Sequence, residues 1–291
     1  MSSLDTIPLE GLPFTKMSGS GNDFIFIDNR GGRIPEAAMP ALVRALCARR
    51  TSVGADGLAF IEPSDVADFR WRFFNSDGSA PGMCGNGARC VVRFARELGV
   101  TAPRVRFESA VGIIDGTTEG ERVSVRLTPP HGFQADLRLP LPSGEVRIDH
   151  LDTGVPHAVL FVRDVDDIDL MEVAPPIRYH ERLAPEGANV NLCAVTGPRS
   201  LRVRSYERGV EAETLACGTG VAACAVLAAT RGLVEPPVDV TVRSGEVLTV
   251  HFAGRGDAAR DVYLEGDVRI VFRGTLTDPY RTNTTSAGSQ R

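Results

Sequence analysis

A repeat at a fixed offset constrains this chain more than any other feature. Cys84-Gly-Asn-Gly87 returns as Cys217-Gly-Thr-Gly220, the two cysteines standing 133 residues apart (217 − 84). Gly99 and Gly232, each placed to close a helix, keep that spacing, and Gly21-Asn-Asp-Phe24 falls on Gly154-Val-Pro-His157. Asn75 falls on Arg208 in the same register. Four stations at one offset indicate a duplicated supersecondary unit. The expectation is an α/β (α+β) fold of two homologous domains related by a pseudo-twofold, whose interface cleft is the natural place for a small-molecule site.

Both repeated cysteines stand at the start of a helical pattern, after a polar turn. A helix start presents unpaired N–H groups and a partial positive charge, which favour a thiolate and hold a carboxylate. The backbone groups of Gly85, Asn86, Gly218 and Thr219 would then point into one cavity suited to an anion. Two opposed thiols around a bound carboxylate suggest two-base chemistry, one thiolate removing a proton from the α-carbon and the other thiol delivering one to the opposite face. Lowered by the helix ends, a thiolate–thiol pair is expected near neutral pH.

Along the chain, Phe14–Met17 and Phe24–Ile27 read as strands about a glycine turn, and Pro35–Arg50 as an amphipathic helix. Phe69–Phe74 is a strand, Ala88–Leu98 a helix, and residues 105–127 a meander. The Pro- and Gly-containing stretch 129–144 reads as a domain boundary. In the second half, strands are expected at Val146–Leu151, Ala158–Val162, Leu201–Tyr206, 238–252 and 261–273. Ile177–Leu183 is helical or irregular, Glu207–Gly220 is a polar turn, and Val221–Leu233 is an apolar helix. The predicted division is 12–128 plus 266–278 for the Cys84 domain, 129–265 for the Cys217 domain, and a polar tail at 279–291.

Composition narrows the chemistry. Of 32 basic residues only Lys16 is lysine, so Schiff-base catalysis by pyridoxal phosphate has a single, poorly placed candidate. The six cysteines contain no Cys-x-x-Cys pair, which argues against structural zinc, and no metal is expected. A net charge of −5 does not suggest a nucleic-acid partner, and no apolar run approaches a membrane span, so a cytoplasmic protein is expected. Cys47, Cys90, Cys193 and Cys224 read as packing residues.

With Asn75-Ser-Asp-Gly-Ser79, Cys84-Gly-Asn-Gly-Ala-Arg-Cys90, Pro156-His157, Asn189-Val190 and Glu213-Thr-Leu-Ala-Cys-Gly-Thr-Gly220 added to Gly19-Ser-Gly-Asn-Asp-Phe24, the chain resembles the diaminopimelate epimerase family from about Phe14 to Gly274. The resemblance implies two domains, each a β-barrel-like sheet around a central helix. It also implies interconversion of LL- and meso-diaminopimelate without a cofactor, in lysine and cell-wall precursor synthesis, by a homodimer. By matching position it implies Cys84 and Cys217 as the acid/base pair. Gly85, Asn86, Gly218 and Thr219 would be at the reacting carboxylate, and Asn22, Asn75, Asn189 and Arg208 at the far end of the substrate. Glu207 would receive the reacting ammonium, and His157 would orient or activate a thiol. Three departures stand out: Val155 where the family often has Asn, Gly57 where some members have Gln, and a turn Glu207–Cys217 one residue longer than in some.

Two other readings stay open from the residues. One is a different cofactor-independent amino-acid racemase. The other is a nucleotide-binding dehydrogenase, because Gly218-Thr-Gly-Val-Ala-Ala223 fits G-x-G-x-x-A, although Glu211-Ala-Glu-Thr214 stands where the fingerprint needs an apolar strand.

Overall fold

The two glycine turns of the repeat adopt the same conformation. Gly21 has φ +90° and Gly154 φ +109°, the left-handed region that glycine alone enters without strain. Each turn sends the chain into a strand of a long antiparallel-and-parallel sheet. The computed structural model describes residues 9–81, 83–100, 104–142 and 144–277. The lead-in 1–8, the tail 279–291 and residue 278 of the predicted first domain lie outside the described residues.

The first half runs β1 (Pro13–Gly19), β2 (Asn22–Asp28), α1 (Met39–Cys47), β3 (Gly57–Glu62), β4 (Phe69–Asn75), α2 (Gly85–Glu97), β5 (Arg104–Ser109), β6 (Gly112–Glu119) and β7 (Arg122–Arg126). The second runs β8 (His131–Leu141), β9 (Gly144–Asp152), β10 (Pro156–Val162), α3 (Leu170–Arg178), β11 (Asn189–Gly197), β12 (Ser200–Glu207), β13 (Ala212–Thr214), α4 (Gly218–Thr230), β14 (Val238–Thr241), β15 (Val247–Ala253) and β16 (Arg260–Thr275). Strands β1 to β7 lie in chain order, and β16 closes them into an eight-stranded barrel by pairing both with β7, around Tyr263–Asp267, and with β1, around Val268–Thr275. The second sheet, β8-β9-β10-β11-β12-β14-β15-β16, repeats the order and shares β16. Closure leaves the first sheet, in which β2–β3 and β4–β5 are parallel and the other pairs antiparallel, without a free edge.

Each sheet wraps one helix. Every residue of α4 from Gly218 to Ala229 is buried, as expected of a helix apolar all round, and α2 buries Gly85 to Val92, Phe94 and Ala95. The two helices share one continuous apolar core with Phe24, Trp71, Phe107, Val125, Val159, Val203, Val250 and Leu264. On the outside, α1 covers Ile25, Ile27, Leu58 and Phe60, and α3 covers Leu160, Val190, Leu192 and Tyr206. The fold is thus two similar α/β domains, each a barrel-like sheet around a central helix.

Several local expectations change. The stretch 129–144, read as a domain boundary, carries a strand of its own: His131–Leu141 forms β8, hairpinned to β9, with Leu137 and Leu139 buried on one face. Pro140 is tolerated because β8 is a terminal strand of the sheet. The stretch 177–183, read as helical or irregular, is the end of a helix that starts at Leu170, where the Asp169 carboxylate caps the N–H groups of Met171 and Glu172, followed by a short 3-10 turn at Glu181–Leu183. The run 238–252 breaks into β14 and β15 about a turn, and the polar turn 207–220 contains β13.

The repeat also slips by one residue on one side. Leu58 pairs with Phe74 and Val190 with Tyr206, so the strand register places Glu207, not Arg208, opposite Asn75. The helices keep the 133-residue offset, so the additional residue is taken up between Glu207 and Cys217.

Gly57 is dictated by packing. A Cβ there would lie 2.7 Å from the Phe73 ring and 2.7 Å from the Phe74 carbonyl oxygen. Gly57→Ala is expected to lower unfolding stability by about 1–3 kcal/mol, read as a lower denaturant midpoint at unchanged m; an unchanged midpoint would refute this packing constraint.

Candidate active site

The N-termini of α2 and α4 meet head to head. A Cβ built on Gly218 would stand 3.6 Å from the Gly85 Cα and 2.7 Å from a Leu264 methyl, and one on Gly85 would stand 3.8 Å from the Gly218 Cα. The two glycines bring two positively polarised helix ends into close approach, with the Leu264 methyl as the tight neighbour of both. Cys84 and Cys217 are the N-cap residues of these helices, both in extended backbone conformation. The Gly87 N–H donates to the Cys84 sulfur at 3.4 Å, and the Cys217 sulfur lies 3.6 Å from the Thr219 hydroxyl.

Asn86 ties the two halves together. Its side-chain NH2 donates to the Asn22 side-chain oxygen at 2.7 Å and to the Ala216 carbonyl at 3.1 Å, the latter one residue before Cys217. Asn22 in turn donates to Asp56 at 3.0 Å, and the Ser76 N–H donates to the Asp56 carbonyl at 3.0 Å, so Asn22 and the end of β4 gather around one loop. Asn75 is exposed there and donates to the Ser79 hydroxyl at 3.0 Å. Arg49 bridges Asp23 and Asp56 from outside, and the only lysine, Lys16, is buried in an ion pair with Asp23 at 2.7 Å.

The second half gathers its own set. His157 pairs with Asn189 across β10 and β11, and the Asn189 side-chain oxygen accepts the Arg208 N–H at 2.7 Å. The Arg208 guanidinium pairs with Glu186 at 3.1 Å. Glu207 accepts a hydrogen bond from Thr214 on the paired strand β13, and the Cys217 thiol donates to the same carboxylate. The chain thus brings Asn22, Asn75, Gly85 and Asn86 from one side towards His157, Asn189, Glu207, Gly218 and Thr219 from the other.

The electrostatics depart from the sequence expectation. Burial pushes the Cys84 thiol up to about 11, against the Gly87 N–H and the Arg89 charge, which pull it down. Cys217 is raised as well, by burial and then by the Glu207 carboxylate. Burial therefore outweighs the helix ends at both thiols. Burial likewise raises Glu207 and lowers His157 to about 3. The Asn191 amide donates to the His157 Nδ1 at 3.1 Å, which leaves the proton of the neutral ring on Nε2, a buried atom with no partner among the described residues.

Sequence reading missed several of these supports. Asn191 holds His157, Asp56 holds Asn22, Thr214 holds Glu207, and Arg89 donates to Asn86. Arg89 and Asn191 are buried inside regular elements and Asp56 sits in an exposed turn, positions that carry no pattern of their own. The G-x-G-x-x-A run at 218–223 does not sit in a dinucleotide fold: the strand before it is the three-residue β13, antiparallel to β12, and its first glycine abuts Gly85. Among the described residues, no cluster of three or more His, Cys, Asp or Glu side chains is arranged to hold a metal ion, and no helix is long and apolar enough to cross a membrane.

Known proteins share this fold. Among solved structures, a phenazine biosynthesis protein of the PhzF family from Bacillus anthracis superposes with a TM-score of 0.72 at 17% identity, covering 91% of this chain and 99% of that one. A hydroxyproline epimerase from Agrobacterium vitis, with bound trans-4-hydroxy-L-proline, gives 0.67 at 17% identity, covering 91% and 90%. These show the fold. In sequence, the diaminopimelate epimerase of Aquifex aeolicus is 44% identical over 278 residues, covering 92% of this chain and 98% of that protein. The diaminopimelate epimerase of Chlorobaculum tepidum is 44% identical over 265 residues, covering 90% and 100%. The profile of the family described as diaminopimelate epimerase matches residues 14–131 and 150–271. On that match and those identities, the chain belongs to the diaminopimelate epimerase family.

Proposed function

We propose that the protein is a diaminopimelate epimerase, interconverting LL- and meso-2,6-diaminopimelate by proton transfer between Cys84 and Cys217. The observation that carries this is the abutment of two thiol-capped helix N-termini through Gly85 and Gly218. The N–H groups of both helix starts converge where a carboxylate would sit, and the thiols flank that position.

In the forward half of the reaction, one cysteine as thiolate takes the α-proton and becomes a thiol. The electron pair left on carbon delocalises into the α-carboxylate, where the helix N–H groups at Gly85, Asn86, Gly218 and Thr219 stabilise it most. The opposite thiol gives its proton to the other face and becomes the thiolate. Glu207, already in contact with the Cys217 thiol, is assigned to the reacting ammonium. Asn22, Asn75, Asn189 and Arg208 are assigned to the distal end, where guanidinium and amides suit a carboxylate. His157, neutral and bonded to Asn191, is assigned to orienting the Cys217 side of the site rather than to carrying a proton.

The reading extends to a cytoplasmic, homodimeric enzyme of lysine and peptidoglycan precursor synthesis, divided into 12–128 plus 266–278 and 129–265. Val155 in place of Asn keeps a second reading in play, a racemase of the same chemistry acting on another amino acid.

Purified protein without added cofactor is expected to convert LL-diaminopimelate to the meso form, and Cys84→Ser and Cys217→Ser are each expected to lower kcat by at least about 10²-fold. Inversion of a different amino acid instead would select the second reading, and full activity of either variant would overturn the mechanism. His157 supplies a pH signature. Its folded pKa lies below the unfolded value of about 6.5, so keeping it neutral contributes stability that is whole above that pH and is lost as pH falls towards about 3. Between pH 7 and pH 5 the wild type is expected to lose roughly 2 kcal/mol more unfolding stability than His157→Gln. Parallel losses in the two proteins would contradict the buried neutral histidine.

A further inference from the structure

Arg89 is the largest fully buried side chain of the molecule, 0% exposed, and it lies on α2 one turn after Cys84. Its Nη2 donates to the Ser20 hydroxyl at 2.6 Å and to the Asn86 side-chain oxygen at 3.1 Å. Nε and Nη1 have no hydrogen-bond partner among the described residues, and no carboxylate there comes within ion-pair distance. The backbone of β16 passes over the guanidinium at Gly266, where an added Cβ would stand 3.4 Å from Nε. A buried cation with no counter-charge costs several kcal/mol, so its retention calls for a reason.

The repeat supplies a control within the same chain. At the 133-residue offset Arg89 falls on Ala222, Ser20 on Thr153 and Asn86 on Thr219. In the second half the same stations close without a charge, the Thr153 hydroxyl donating directly to the Thr219 carbonyl at 2.9 Å. The two thiols therefore sit on equivalent helix ends in opposite fields: a buried cation lies behind Cys84, and the Glu207 carboxylate lies against Cys217.

We propose that Arg89 is a positioning residue with two linked tasks, fixing the Asn86 amide that bridges to Ala216 and making Cys84 the thiol that ionises first. The proposal rests on the two-thiol reading above. Asn86 has one oxygen and two N–H groups to place, and the bond from Arg89 fixes the oxygen, which turns the NH2 group towards Asn22 and Ala216. The groups acting on Cys84 are Arg89 and the Gly87 and Asn86 N–H groups, which favour the thiolate, and Glu207, which opposes it. Those acting on Arg89 are Cys84 and Cys90 from its own helix, Glu246 before β15 and Asp267 of β16. None of these carboxylates pairs with the guanidinium, so the Cys84 sulfur, once ionised, becomes a nearby balancing charge.

The test reads the thiols directly and needs no turnover, so it fails or succeeds independently of the substrate assignment. Iodoacetamide labelling of the full chain is followed against pH, with Cys84 and Cys217 peptides quantified separately by mass spectrometry. In wild type the midpoint for Cys84 is expected below that for Cys217. In Arg89→Met the Cys84 midpoint is expected to rise by roughly one pH unit while that of Cys217 stays in place, and Arg89→Lys is expected to restore most of the shift. Equal midpoints in the wild type, an unmoved Cys84 midpoint in Arg89→Met, or the same displacement of both thiols would each overturn the proposal. The wild-type comparison stands even should Arg89→Met not fold.

Discussion

Two helix N-termini held face to face at van der Waals distance are the constraint on which the rest of this structure depends. Like ends of two helix dipoles repel, so the contact persists only because the elements behind it are fixed. Each helix is enclosed by its own sheet, the two cores merge into one, and β16 belongs to both sheets, pairing with β15 and β7 and then with β1. The Asn86 amide adds a direct bond across the junction to Ala216. The result is a preorganised patch of N–H donors whose natural partner is an anion, flanked by one sulfur from each side.

The same enclosure sets the reactivity of the sulfurs. Burial raises both thiols more than the helix ends lower them. Differential surroundings then decide between them, with Arg89 behind Cys84 and Glu207 against Cys217. A symmetric scaffold with unsymmetrical charges suits a reaction that must begin with one base and one acid and end with their roles exchanged.

Much of this was legible in the chain. The 133-residue offset, the glycine turns at Gly21 and Gly154, and the helices after Cys84 and Cys217 are written in residues whose backbone roles are narrow, and they reappear in the structure at those positions. What was not legible depends on pairing and burial. Strand β8 carries Gly132 and Pro140 and reads only as a boundary in composition, because its strand character comes from the β9 hairpin and not from its own propensity. The correspondence of Asn75 with Glu207 is set by strand register, which a fixed offset cannot reveal once one residue is inserted in a turn. Helix starts suggested lowered thiol pKa values, whereas the opposing burial is visible only once the core is assembled. Arg89, Asn191 and Thr214 support the site from ordinary-looking positions inside regular elements.

The central claim is that two different groups handle the two faces of one carbon. It is tested most directly by running the epimerisation of LL-diaminopimelate in deuterated water and stopping at low conversion. Meso product is expected to carry a solvent deuteron at the inverted carbon while unreacted substrate keeps its own hydrogen there. Product that retains the substrate hydrogen, or equal deuterium in both pools, would show one group serving both faces and would contradict it.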